Sequence, residues 1–189
     1  ALRRAVRERF RTGAHAIKVM TSGGVISPTD PLRIPQYSAE ELRVVAEEAA
    51  RRGSYVAAHA YSPEAIEHSL VNGIRSIEHG NLLDEPTATL MAEHGAFLVP
   101  TLATYAAMDR HGLELGLPAV SRAKNAEVLG SGQDAVQLAL QAGVSVGFGT
   151  DLMGSLESEQ LSGLRLQSEA VGAVPTLRSA TSVNADLIG

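Results

Sequence analysis

Five short apolar runs, centred near residues 18, 57, 76, 99 and 147, punctuate this chain. Each reads as a strand, over residues 16–20, 55–60, 74–78, 97–102 and 144–148. They are continuously apolar rather than alternating, as expected of strands covered on both faces. Helices are predicted between them, over residues 2–12, 38–52, 63–72, 84–94, 119–129, 132–142 and 155–171, with a last helical stretch after Pro175 ending near residue 188. Gly13, Gly53, Gly73, Gly95 and Gly143 close helices just before the next strand. Ser38 and Glu41 have the spacing of a capping box. Residues 21–36 hold Gly23, Gly24, Pro28, Pro31 and Pro35 and read as a loop, long enough to suggest a functional role. The pattern weakens over residues 103–131, where Gly112, Gly116 and Pro118 mark another loop.

Strands alternating with helices predict a parallel α/β sheet with crossover connections. A closed (β/α)₈ TIM barrel needs eight strands. Five with their helices predict a partial barrel or an open sheet, in one domain covering residues 1–189.

Composition narrows the function. A net charge of −5, with no basic stripe, gives no footprint for nucleic acid. No apolar run is long enough for a bilayer, and no leader pattern is visible after Ala1. There is no cysteine, which excludes disulfides and thiolate ligands and fits a cytoplasmic protein. Any metal must be held by nitrogen and oxygen.

Four such residues fall at or near the carboxyl ends of predicted strands: Lys18, His59, His79 and Asp151. In a parallel barrel these ends converge on one mouth. His59 and His79 are 79 − 59 = 20 residues apart, one strand-helix unit, which puts them on neighbouring strands. Imidazole suits zinc and similar ions. Asp151 can bind a metal or accept a proton from metal-bound water. Gly149, just before it, allows close backbone approach. Lys18 is costly inside an apolar run unless its charge is paired or removed. It can pair with Asp151 or Glu78, or react with carbon dioxide to give an anionic carbamate able to bridge two metals.

Singly, each has an ordinary explanation: a structural histidine, a helix N-cap for Asp151, a snorkelling chain for Lys18. Together they predict one mouth. Tyr61 shares it and can bond a substrate oxygen or pack as a loop aromatic. Glu78 should face away from His79 if its strand is regular. His15 precedes its strand, His68 and His94 sit on helices that read as exposed, and His111 falls in an irregular loop. Ser22-Gly23-Gly24 offers backbone N–H groups to an anion, or a flexible turn.

The runs IKVMTSGG, AHAYSPEAI, RSIEHGNLLD, FLVPTL and GFGTD, in this order, resemble the amidohydrolase superfamily, in the branch of imidazolonepropionase-like proteins and Xaa-Pro-type dipeptidases. The resemblance implies a (β/α)₈ barrel with a small β-sandwich. It implies that Lys18 is the carboxylated lysine of the family's fourth strand and bridges two divalent ions, with zinc the leading candidate. His59 and His79 would be ligands from the fifth and sixth strands. Asp151 would end the eighth, bind metal and serve as base. Tyr61 would contact the substrate carboxylate. The implied reaction is hydrolysis of a dipeptide or N-acyl amino acid by metal-activated water.

The family's His-x-His pair occurs nowhere here. On the resemblance, the first three barrel strands and the sandwich lie outside this sequence, which is then the C-terminal part of the barrel domain. Open barrel edges favour a homo-oligomer. A second reading is an inactive barrel fragment that acts only by association with a complementary chain. A deaminase of the same superfamily is disfavoured by Lys18.

Overall fold

In the computed structural model, which describes residues 1–189, the apolar runs become β1 (Ile17–Met20), β2 (Val56–Ala60), β3 (Ser76–His79), β4 (Phe97–Val99) and β5 (Ser145–Val146). All pair in parallel, in the order β1-β2-β3-β4-β5. Strands adjacent in sequence are adjacent in the sheet, which is the winding of a (β/α) barrel. The sheet stays open, with β1 and β5 as edges. The chain is therefore a partial TIM barrel.

The pleat sorts side chains onto two faces. Ile17, Val19, Val56, Ala58, Ile77 and Leu98 join a 25-residue core beneath the helices. There they meet Leu42 and Val45 of α2 (Ala39–Ala50), Ile66 of α3 (Pro63–Leu70) and Met91 of α4 (Glu85–Glu93). Leu42 and Ile66 are fully buried, each contributing roughly 1.5–3 kcal/mol of transfer free energy. The other face carries Lys18, Met20, His59 and Glu78 toward the concave side.

Local chemistry sets the helix starts. Ser38 and Glu41 form the expected capping box, and Asp84 and Ser62 accept from the first turns of α4 and α3. Helix α1 (Leu2–Arg11) docks through Arg7, whose Nε lies 2.6 Å from Glu48 of α2. The Arg7 hydrogen bond, with help from Arg3, pulls the Glu48 carboxyl down to about 2.

The structure corrects four expectations. Residues 97–102 are not one strand: β4 ends at Val99, and Thr101, with φ 47°, turns the chain into α5 (Leu102–His111). Leu102 to Met108 are all buried in α5, so no polar face betrays its period. The helices predicted over 119–129 and 132–142 are one, α6 (Ala119–Gln141). Gly132 does not break it; a Cβ there would lie 2.8 Å from Asn81 Nδ2 and 2.9 Å from Leu102, so this glycine marks close packing. Residues 155–171 begin as a 3₁₀ turn, Gly154–Glu159, before α7 (Gln160–Val171). Pro175 lies in the first turn of α8 (Ala173–Arg178), where its missing N–H is tolerated. A π turn then leads into α9 (Asn184–Ile188). No helix is long and apolar enough to cross a membrane.

Candidate active site

Lys18, His59, Tyr61, His79 and Asp151 all line one cleft of about 370 Å³ on the concave side. Lys18 and Met20 project into it from β1 and stay exposed. His59 and His79 stand at the ends of β2 and β3, with ring centroids 4.4 Å apart. Asp151 follows β5 at the solvent edge of the cleft. It is not an N-cap: the next helical turn starts at Gly154 and is preceded by Met153. Gly149 allows the predicted close approach, since a Cβ there would meet Val99 at 2.8 Å.

His79 (φ 79°), Thr101 (φ 47°) and Asp151 (φ 51°) are the non-glycine residues with positive φ. They stand at or just beyond the carboxyl ends of β3, β4 and β5. Such a conformation costs on the order of 1–3 kcal/mol per residue and clusters at functional sites. At His79 it overturns the expectation for Glu78. Strict alternation would point one of the two away from the cleft. The left-handed turn brings in His79 while Glu78 also keeps to the concave side. There Ser76 Oγ donates to Glu78 Oε1 at 2.6 Å. Burial raises the Glu78 pKa, while the Ser76 hydrogen bond and the Lys18 charge lower it.

Both imidazoles are set by partners on one nitrogen. His59 Nε2 lies 3.3 Å from the Gly23 carbonyl. A carbonyl only accepts, so Nε2 carries the proton and Nδ1 keeps its lone pair. His79 Nδ1 lies 2.7 Å from Thr101 Oγ1. Its Nε2 is buried with no partner. Burial, the largest cause, lowers the His59 pKa to about 4, and Lys18 adds to it. Burial, then the His59 and Lys18 charges, takes His79 well below the usual histidine range. Both rings are therefore neutral at pH 7, the form that binds metal. For Asp151, partial desolvation raises the pKa and Lys18 opposes it.

An orphaned, buried imidazole nitrogen beside a second neutral imidazole fits a divalent ion with nitrogen ligands. No three His, Cys, Asp or Glu side chains gather closely enough to form a cage by themselves. The two histidines are thus brought together, while Lys18 and Asp151 share the cleft without closing the set.

Tyr61 is buried, stacks on His79 at 5.2 Å and hydrogen-bonds Tyr105 of α5, oxygen to oxygen, at 3.0 Å. Burial raises both phenol pKa values. Thr101 and Tyr105 are absent from the sequence-based site. The positive φ of Thr101 leaves no mark in sequence, and Tyr105 lies on the helix that periodicity misses. The remaining histidines lie elsewhere. His15 precedes β1, and His94 is exposed after α4. His68 is half-buried, not exposed as expected, and bonds the Tyr37 carbonyl at 2.8 Å. His111 ends α5 and bonds Glu159 at 2.7 Å. The anion reading of Ser22-Gly23-Gly24 also loses ground. The Ser22 and Gly23 N–H groups already donate to the His59 and Pro31 carbonyls, at 3.2 and 3.1 Å.

The amidohydrolase family profile matches residues 1–189. The chain belongs to the amidohydrolase family. Among curated relatives, ochratoxinase of Aspergillus niger is 41% identical over 150 residues, which is 79% of this chain and 31% of that protein. A solved prolidase in complex with N-methylphosphonate-L-proline is 48% identical, with a TM-score of 0.97, covering 100% of this chain and 46% of the other. A Xaa-Pro dipeptidase with bound methionine is 31% identical, with a TM-score of 0.90, covering 99% of this chain and 47% of the other. This amidohydrolase chain spans about a third of that curated relative and just under half of each solved one.

Proposed function

We propose that residues 1–189 form the C-terminal part of the barrel domain of a metal-dependent amide hydrolase acting on dipeptides or N-acyl amino acids. The observation that carries this reading is the pair of neutral imidazoles whose free nitrogens, His59 Nδ1 and the unpartnered His79 Nε2, remain for a ligand in one cleft. The prolidase, Xaa-Pro dipeptidase and ochratoxinase likenesses support the substrate class.

His59 and His79 would hold the metal, with Lys18 as its carbamate and Asp151 completing a two-ion set, zinc being the first candidate. When bound, the metal supplies a Lewis acid and lowers the pKa of water. The protein's own groups do the rest. Asp151, exposed at the cleft edge, takes the proton of the attacking water and passes it to the departing nitrogen. Tyr61 donates its phenol hydrogen to the substrate carboxylate. The loop over residues 21–36 covers one side of the cleft and limits water. The substrate is a small molecule, and the open edges of β1 and β5 favour a homo-oligomer.

A second reading keeps the barrel without the activity, as a fragment that works by association. The absence of a closed cage of three ligands favours it. Metal analysis with a screen of Xaa-Pro dipeptides and N-acyl amino acids separates the two. Bound metal with hydrolysis lost in Asp151→Asn supports the hydrolase. A folded, metal-free chain inert across the screen overturns it in favour of the fragment.

A further inference from the structure

The chain has two lysines, Lys18 and Lys124, against fourteen arginines. Arginine supplies the ion pairs to Glu47, Glu48, Glu8, Glu127, Glu159 and Glu169. Lys124, half-buried on α6, does something else. Its ammonium donates to three backbone carbonyls of the loop over residues 21–36: Asp30 at 2.6 Å, Ser27 at 2.7 Å and Gly24 at 3.4 Å. An ammonium has three donors and no acceptor, so the set is matched one to one. A planar guanidinium presents its donors as a flat fork and does not cap three carbonyls converging on one point.

The contacts continue to the metal-binding candidates. Gly23 packs against one of the three carbonyls that Lys124 gathers, that of Asp30. A Cβ on it would meet Asp30 O at 2.3 Å and Pro31 O at 2.4 Å, so the two limbs of the loop press together there. The Gly23 N–H closes the loop onto Pro31 O at 3.1 Å, and the Gly23 carbonyl accepts the hydrogen bond from His59 Nε2–H. Val25, Ile26 and Ser27 of the same loop line the cleft.

We propose that Lys124 is a positioning residue. It acts as a tethered cation that holds this loop in shape, and through the Gly23 carbonyl it fixes the tautomer and direction of the His59 ring. The proposal places Lys124 in the machinery of the hydrolase reading and rests on that reading only for its effect on catalysis. The loop and the ring can be tested without metal or substrate.

The test is Lys124→Met in the metal-free protein, with Lys124→Arg alongside. Methionine keeps the stem and removes the donors. Ser121, which donates to Ile26 O at 3.1 Å, and the Arg33–Glu127 pair at 2.9 Å still hold the loop to α6, so the fold is expected to stand. Hydrogen exchange of the Gly23 and Asp30 amides, which donate to Pro31 O and Ser27 Oγ, should accelerate at least tenfold in Lys124→Met while α3 and α4 keep wild-type rates. The ring ¹⁵N signals of His59 should move from a fixed Nε2–H form toward a mixture of tautomers. Arginine should restore neither fully. Loop exchange within twofold of wild type, acceleration spread evenly over the protein, or an unchanged His59 signal would each overturn the proposal. Should the variant not fold, acetylation of the wild-type protein decides. Lys124 should react at least tenfold more slowly in the native protein than in urea; equal rates would overturn the idea. Failure to hydrolyse any amide, with the loop and ring results as expected, would remove the hydrolase reading and leave the positioning role.

Discussion

His79 Nδ1 lies 2.7 Å from Thr101 Oγ1, and both residues hold a left-handed backbone at the ends of adjacent strands. The strain and the hydrogen bond belong together. The positive φ at His79 swings its ring into the cleft, and the positive φ at Thr101 brings the hydroxyl that aims it. Thr101→Val should keep the fold but lower divalent-metal affinity by roughly 10- to 100-fold, the usual effect of losing a residue that orients a ligand. Thr101→Ser should stay near wild type. Titration against a competing chelator measures both, and equal affinity in the valine variant would refute the orienting role.

The two buried histidines predict a pH dependence of the metal-free protein. His59 has a folded pKa of about 4 against an ordinary 6.5. The unfolded chain therefore takes up a proton first, and stability present above pH 6.5 is lost as pH falls toward 4. By pH 5 the loss from His59 alone is about 2 kcal/mol. His79 acts in the same direction. Glu78, whose pKa is raised, acts in the opposite direction, because protonating it relieves a buried charge. Urea midpoints between pH 7.5 and 5 should fall, and the slope should flatten in His59→Asn. A slope unchanged by His59→Asn would rule the histidine contribution out.

Asp151→Asn should retain bound metal and lower kcat by on the order of 100-fold or more, as expected when a positioned base is lost. Unchanged turnover in a metal-loaded variant would exclude Asp151 as the base.

Tyr61 and Tyr105 share one hydrogen bond, so either phenylalanine substitution leaves a buried hydroxyl unpaired, at about 1–3 kcal/mol. Only Tyr61→Phe should also raise KM, at least tenfold, if its phenol meets the substrate carboxylate. Matching KM changes in the two variants would reduce Tyr61 to a packing residue.

Gly130 and Gly132 occupy one helix and predict opposite outcomes. A Cβ at Gly130 meets nothing within 4 Å, so Gly130→Ala should stabilise by about 0.5–1 kcal/mol through helix propensity. Gly132→Ala would press on Asn81 and Leu102 and should cost about 1–3 kcal/mol. Thermal unfolding of the pair checks both signs.

The strand order and the histidine pair were legible because apolar runs and glycine stops report directly on burial and chain reversal. Ser38 and Glu41 showed their capping box for the same local reason. What stayed hidden depends on tertiary packing. Helix α5 is buried on every side from Leu102 to Met108, so that stretch has no polar stripe. Gly132 reads as a breaker until Asn81 is seen against it. Glu78 seemed to face away because the pleat rule assumes regular backbone, and His79 departs from it. Lys124 sits 94 residues from Asp30 in sequence, and nothing local marks a lysine whose partners are carbonyls.

The Gly23 carbonyl has a consequence for how this cleft can change over generations. Every amino acid brings the same peptide oxygen, so no side-chain replacement at position 23 deletes the acceptor that faces His59. What mutation can disturb is the space around it, through a larger residue at 23 or an insertion that lengthens the loop. His79 has no such protection, since its partner is a hydroxyl that a single altered codon removes. The two imidazoles are therefore unequally robust, and inherited variation should reach His79 through point changes at 101 but His59 through loop length.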